Sequence, residues 1–342
     1  MNDAFSLQSV RQYDILNKKK ASPVTERREG FMQITTIGEI LIDMTQTGTD
    51  ANGNAVFAAI PGGAPANVAV AARKLGVRTA FIGCVGNDAF GRILADTLKR
   101  YDVDASGLQV TERADTTLAV VTVDPSGERS FSFCRKPGAD TQIDRERALK
   151  AAACADILHF GSVSLAADAC RDTIVAAVKT AKEHGALITY DPNYRASLWS
   201  SEEQAIRIMR SVLPLCDIVK ISEEETMLLT GCEAPDAAAD ALLRCGVKLA
   251  IVTLGANGAY WRWENESGTV PGFRVKVADT NGAGDTFFGA FLSRVAKHGG
   301  LFRMRPDRIE RYVRYANRAA SITASRPGAI PAMPTEDEIT EE

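Results

Sequence analysis

The sequence holds no pair of cysteines at C-x-x-C spacing, no G-x-x-x-x-G-K-[ST] run and no apolar stretch as long as a membrane span. Each absence removes a class. Without the Walker-type loop a P-loop kinase is excluded, and without roughly 20 consecutive apolar residues a membrane-spanning helix is not expected. The seven cysteines (Cys84, Cys134, Cys154, Cys170, Cys216, Cys232 and Cys245) are odd in number and scattered. That is neither a disulfide framework nor a zinc pattern, and it fits a reducing, cytoplasmic compartment. Histidine is scarce too: His159, His184 and His298 lie far apart, and the last two precede Gly185 and Gly299, as residues at helix C-termini do. Charge of one sign is also missing, because 40 basic against 43 acidic residues leave a net charge of -3. No broad cationic field is therefore available to nucleic acid or an anionic membrane. What is there is ordinary for a globular protein: 342 residues, 45% hydrophobic and 24% charged, enough for a sizeable core. That length predicts about two domains, or one large α/β domain with an appendage. A small-molecule task is what remains.

Residues 1–31 are polar, carry Lys18-Lys19-Lys20 and lack an apolar signal core, and they read as a flexible N-terminal extension. Met32 reads as the functional start of the fold, and residues 335–342 as a solvated acidic tail. Between them, in residues 32–334, strand-like runs alternate with helical periodicity. Residues 33–43 read as one buried strand, 65–75 as a helix stopped by Gly76, 77–84 as a strand and 89–101 as a helix. The rhythm continues with strands at 157–160, 186–191, 217–221 and 249–253. Helices fall at 166–184, 202–212, 285–297 and 307–323, and 273–277 is strand-like. Repeated β-α units predict an α/β fold, a doubly wound and mostly parallel sheet with helices on both faces. Two stretches interrupt it, about 54–60 and 116–135. The second reads as a hairpin around Asp124-Pro125-Ser126-Gly127. A small β piece of this kind belongs beside the main sheet, as a lid or an oligomer interface.

The strongest chemical signal is Asp279-Thr280-Asn281-Gly282-Ala283-Gly284-Asp285-Thr286, which opens a helix. Glycines at a helix start let backbone N–H groups approach an anion, and the helix dipole adds positive potential. Asp285, just inside that helix, is expected to be held as the anion and free to take a proton. An oxyanion turn beside a carboxylate is what phosphoryl transfer to an alcohol requires; the competing reading of Asp285 is a plain N-terminal helix charge. A dinucleotide fingerprint fits poorly, because its third glycine would fall at Phe287. The second signal is Pro61-Gly62-Gly63-Ala64-Pro65-Ala66-Asn67, entering the first helix. Upstream of it, Asp43 ends the first strand-like run, where ligands of open parallel sheets bind.

Taken together, these segments resemble the ribokinase (PfkB-type) family of carbohydrate kinases, over about residues 33–334. The resemblance implies a ribokinase-like fold with a small β lid and ATP as phosphoryl donor. It casts Asp285 as the catalytic base and Gly282, Ala283 and Gly284 as the anion hole. Asp43, Gly62, Gly63 and Asn67 match sugar-binding positions. Thr253, Gly255, Gly258 and Asn317 match the nucleotide pocket, while Asn193 and Lys220 face the ATP phosphates. Glu225 falls where the family's N-x-x-E glutamate organises Mg2+ through water, with Ser222 in place of the leading Asn. Asp279, Asn281 and the backbone around Arg326 and Gly328 match a monovalent-cation site for K+, although Asn281 replaces the more usual Thr.

Three stretches resemble bacterial fructokinases: Gly38-Glu39-Ile40-Leu41-Ile42-Asp43, Phe133-Cys134-Arg135-Lys136-Pro137-Gly138-Ala139-Asp140, and Asp191-Pro192-Asn193-Tyr194-Arg195 with Trp199. The implied acceptor is D-fructose, with Arg195 between substrate and phosphates and Arg135 supplied from the lid hairpin; a solvated lid charge is the other reading of Arg135. The alternatives are a kinase of 2-keto-3-deoxygluconate or another small sugar, whose carboxylate an arginine would suit, and a non-catalytic sugar or nucleotide sensor. A homodimer through the lid is implied by the same resemblance.

Overall fold

A computed structural model describes residues 33–123 and 129–340. The expectations for residues 1–31 and for the turn at 124–127 lie outside the described residues. The first apolar run is not one strand but two. β1 (Ile34–Ile37) is fully buried and ends before Gly38; β2 (Leu41–Thr49) starts three residues later in a different sheet. Both halves are buried, so hydrophobicity alone carries no mark of the change. β3 (Ala55–Gly62) returns antiparallel to β2 and delivers the chain to helix α1 (Ala64–Lys74). β4 (Thr79–Gly86) follows, then α2 (Ala89–Arg100), where the Asp88 side chain accepts the Gly91 N–H at 2.7 Å and Leu94 and Leu98 fall on one buried face. β5 (Asp104–Thr111) was not anticipated, because it carries Asp104, Ser106 and Gln109.

β6 (Leu118–Val123) and β7 (Arg129–Cys134) form the expected hairpin. Then come α3 (Arg145–Ala152), β8 (Ile157–Gly161), α4 (Asp168–Glu183), β9 (Leu187–Asp191) and α5 (Glu202–Ser211). β10 (Ile218–Ser222), α6 (Thr226–Thr230), α7 (Pro235–Arg244) and β11 (Leu249–Thr253) continue the alternation. The hairpin β12 (Ala259–Trp263) and β13 (Glu266–Val270) leads to α8 (Ala283–Lys297) and α9 (Pro306–Ala324). The expected strand at 273–277 is absent. That segment runs without regular structure between β13 and α8, with Val277 exposed.

The main sheet has nine strands in the order β13-β12-β11-β10-β9-β8-β1-β4-β5. From β11 to β5 every pairing is parallel, and the β12–β13 hairpin adds an antiparallel edge. Apolar side chains of α4, α5 and α7, among them Ile174, Met209 and Leu242, cover one face. Those of α1, α8 and α9, among them Val68, Phe288, Phe291 and Val313, cover the other. The two-layer cover is what a parallel sheet with both faces apolar requires. The second sheet, β3-β2-β6-β7, stands apart as the anticipated small β unit.

The C-terminal end departs from a solvated tail. Glu336 accepts from Lys297 Nζ at 2.6 Å, Glu338 from Arg326 Nη2 at 2.6 Å, and Ile339 is buried against α8 and α9. Acidic composition hid a segment held by three basic side chains of the domain, Arg294 and Lys297 at Glu336 and Arg326 at Glu338.

Candidate active site

The C-terminal ends of β9 and β10 meet the N-termini of α1 and α8, and β2 crosses above them. Parallel strands end here with no helix covering them, so side chains from distant parts of the chain converge. The α8 turn is built by Gly282, whose φ of 74° is left-handed and whose missing Cβ would lie 2.8 Å from Ala329 Cβ. That conformation starts α8 at Ala283, whose N–H is taken by the Thr280 carbonyl at 3.3 Å, while Gly282 and Gly284 line a cleft of about 530 Å³. The cleft is bounded by Asn193, Arg195, Lys220, Glu225, Gly284 and Asp285, among others. A second, polar pocket of about 60 Å³ is bounded by Glu39, Asp43, Gly63, Asn67, Arg195 and Asp285. Asn193, Arg195, Asn281 and Asp285 line both, whereas Thr280 and Gly284 join the cleft to a third cavity of about 500 Å³. Asp285 thus stands at the wall between two cavities.

Its carboxylate is fixed from two sides. Asn67 Nδ2 donates to Oδ2 at 2.8 Å, and Asn193 Nδ2 approaches Oδ1 at 3.4 Å. Burial pushes the Asp285 acid up from the ordinary carboxylate range, against the Asn67 bond and the charges of Lys220 and Arg195. Burial at a residue only 8% exposed therefore opposes the helix terminus, which favours the anion. A raised carboxylate is the stronger proton acceptor once ionised. Asp43 behaves alike. Burial pushes it up to about 6, opposed by a bond from the Asn281 side chain and by Arg195. Gly62 backs it, and a side chain there would run into the Asp43 carboxylate.

Across the cleft, Lys220 Nζ bonds Asp191 Oδ2 at 2.9 Å, with both side chains buried. Burial drives Asp191 up to about 7 despite that ammonium; burial also works against the Lys220 charge, but Asp191 and Glu225 hold it raised. The ammonium would lie 3.3 Å from a Cβ on Gly284, so it abuts the α8 turn. Two buried acceptors, Asn67 Oδ1 and Asp191 Oδ1, have no hydrogen-bond partner among the described residues. Of the two, Asn67 lines the small polar pocket, where an unpaired buried acceptor leaves room for a donor.

Known proteins resemble this chain over most of its length. Residues 32–336 match the profile of the pfkB family carbohydrate kinases. The chain belongs to that family. Fructokinase-1 of Oryza sativa subsp. japonica is 41% identical over 310 residues, 90% of this chain and 96% of that protein. A fructokinase of Xylella fastidiosa, solved with bound ATP, superposes with a TM-score of 0.83 at 35% identity, over 90% of this chain and 96% of that one. A Vibrio cholerae O395 fructokinase, solved with fructose, ADP and calcium ion, gives 0.80 at 33%, over 90% and 98%.

Thr253, Gly255, Gly258 and Asn317 line the 500 Å³ cavity. Asn317 spends its amide donors on the Val270 and Pro271 carbonyls, at 3.1 and 3.2 Å, and so fixes the loop that walls this cavity. Glu225 accepts the Tyr194 N–H at 2.7 Å and the Ser222 N–H at 2.8 Å. Ser222, the departure from the family's Asn, completes a reciprocal cap with Glu225. Asp279 takes the Asn281 N–H at 2.9 Å and the Gly328 N–H at 3.1 Å. Arg326 instead directs its guanidinium to Glu338, and the Asn281 side chain serves Asp43.

Arg135 is placed differently. It is buried at the foot of the lid, paired with Asp140 at 2.6 Å and bonded to the Val163 carbonyl at 3.1 Å, and it does not line the small polar pocket. It is neither a solvated lid charge nor a group free for substrate. The residue overlooked is Glu39, 2% exposed, bonded by Ser164 Oγ at 2.8 Å and forming part of that pocket. Its signal was an acid in the middle of the apolar stretch from Ile37 to Ile42.

Proposed function

We propose that this kinase transfers the γ-phosphoryl group of ATP to a hydroxyl of D-fructose. The observation that carries the reading is Asp285, a buried carboxylate held by Asn67 and Asn193 on the wall shared by the small polar pocket and the large cleft. Asp43 and Asn67 hold the sugar, with the free Asn67 Oδ1 ready for a hydroxyl proton donor. Asp285 removes the proton from the attacking hydroxyl as its oxygen bonds to the γ-phosphorus. The bond to the β–γ bridging oxygen breaks and ADP leaves. The α8 N–H groups and Lys220 meet the charge on the moving phosphoryl oxygens. The base lies on Thr253, Gly255, Gly258 and Asn317.

Among the described residues no group of three or more His, Cys, Asp or Glu could hold a metal ion. That fits Mg2+, which takes most of its ligands from phosphates and water and needs only one or two carboxylates. Glu225, with Glu224 in the same cleft, would hold it through water, and it would neutralise phosphate charge. The Asp279 turn is the proposed K+ site. Exposed Val56 and Phe57 on β3 support a homodimer through the lid. No helix of the described residues is long and apolar enough to cross a membrane, and the unpaired cysteines support a cytoplasmic location.

A coupled ADP-release assay over fructose, ribose, 2-keto-3-deoxygluconate and a nucleoside tests the acceptor. Fructose should give the highest kcat/KM. A higher value for 2-keto-3-deoxygluconate would transfer the reading to an acid sugar held by Arg195, and no turnover with any of them would favour a sensor.

A further inference from the structure

The kinase has a cavity of about 270 Å³ that the reaction does not use. Phe273, Tyr315 and Ile339 give it apolar walls, and Arg311, Arg314 and Arg318 bring three guanidinium groups from one face of α9. Residues spaced by three and four share a helix face, so the three charges are aligned by the helix itself. Arg311 pairs with Asp307 at 3.0 Å and Arg314 with Glu310 at 3.6 Å, all four side chains being about half exposed or more. Exposed pairs of this kind are weak and exchange readily for another anion.

Arg318 is different. It is half-buried, its guanidinium carbon stands 5.2 Å from the centre of the Phe273 ring, and it has no acidic partner among the described residues. Tyr315 is already stacked by Arg294, whose guanidinium carbon is 3.7 Å from the ring centre. Three arginines against Asp307 and Glu310 leave a surplus positive charge beside an aromatic wall. A guanidinium fork matches the two oxygens of a carboxylate, sulfonate or phosphate. The volume is just under that of pockets for drug-sized molecules, roughly 300–1,000 Å³.

We propose that this cavity is an accessory site for a small organic anion with a flat apolar body. It is separate from the nucleotide cavity, although Phe273 forms part of the wall of both. On α9, Asn317, Ala320 and Ser321 face the nucleotide side while the arginines face the accessory side. Ile339 and Thr340 close it on the C-terminal side.

The test is a fluorescence titration of the full chain with 1-anilinonaphthalene-8-sulfonate. The catalytic and nucleotide spaces are first saturated with fructose and a non-hydrolysable ATP analogue. Saturable binding is expected, weakened about tenfold or more in Arg318→Met, which keeps the contact with Phe273 but removes the charge. Arg314→Met should weaken it less. The uncharged N-phenyl-1-naphthylamine should bind wild type and both variants equally. Unchanged turnover of fructose by Arg318→Met would show that the fold is intact. Equal sulfonate affinity in wild type and both variants, or complete displacement by the ATP analogue, would overturn the proposal. So would binding seen only after residues 341–342 are removed.

Discussion

Glu39 offers a quantitative test of how the lid junction is built. Its carboxyl is buried between β1 and β2, receives one bond from Ser164, and sits near both Arg135 and Asp140. Burial pushes it from 4.5 up to about 7. A carboxyl raised on folding is favoured in its protonated form. Its stabilising contribution is therefore complete below about pH 4.5 and is lost as pH rises to about 7. At about 1.4 kcal/mol per pH unit, the loss reaches about 3 kcal/mol at pH 8 and stays under about 1 kcal/mol at pH 5. Glu39→Gln cannot ionise, and its amide oxygen still accepts from Ser164. The variant should therefore gain about 2 to 3 kcal/mol more over wild type at pH 8 than at pH 5. Urea unfolding at the two pH values reads this as a difference of several tenths of a molar in midpoint. Equal midpoint shifts at both pH values would refute the reasoning, because they would show that Glu39 does not change its protonation on folding in this range.

Other expectations follow from the same geometry. Asp285→Ala should lower kcat by about 10²-fold or more while leaving the Kd for ATP, measured by calorimetry, within about twofold. Because burial raises both Asp43 and Asp285, kcat/KM for the sugar should fall as pH drops through about 6, where Asp43 begins to protonate; a pH–rate profile flat down to pH 5 would contradict it. Lys220→Met strands Asp191 in the interior and should destabilise by about 3–5 kcal/mol, with Lys220→Met/Asp191→Leu recovering part of the loss in the same denaturation experiment. Gly282→Ala forces a Cβ onto Ala329 at a left-handed position, and should cost about 1–2 kcal/mol together with a clear drop in kcat.

The sequence exposed this site unevenly, for physical reasons. The turn at 282–285 and the helix entry at 62–67 were legible because glycine, proline and asparagine at those spacings have few other uses, and both lie at helix starts. Alternating helices and strands likewise revealed the sheet, since each strand buried on both faces forms a compact apolar run. The break at Gly38 was hidden because β1 and β2 are both buried at their junction. The run at 273–277 has strand-like composition but finds no neighbour to pair with, and pairing is a property of the fold rather than of the segment. Arg135 was misplaced because its partner, Asp140, is five residues on across a turn that composition does not describe. Asn281 was assigned to a cation turn, whereas its side chain reaches Asp43, more than two hundred residues earlier in the chain.

The passage of one strand run from the main sheet into the lid has a consequence for affinity. Asp43 lies on β2, in the small sheet, while Lys220 lies on β10 of the main sheet and Asp285 on α8 that covers it. A sugar held by Asp43 and Asn67, as proposed, would therefore tie the small sheet to helix α1 on the main sheet, and a shift of the small sheet would be felt at the acceptor hydroxyl. Substitutions far out on β3 or β7 should then raise the sugar KM while sparing that for ATP. Selectivity for the acceptor is in this sense partly a mechanical property of the junction at 38–40, and not only a matter of which groups line the pocket.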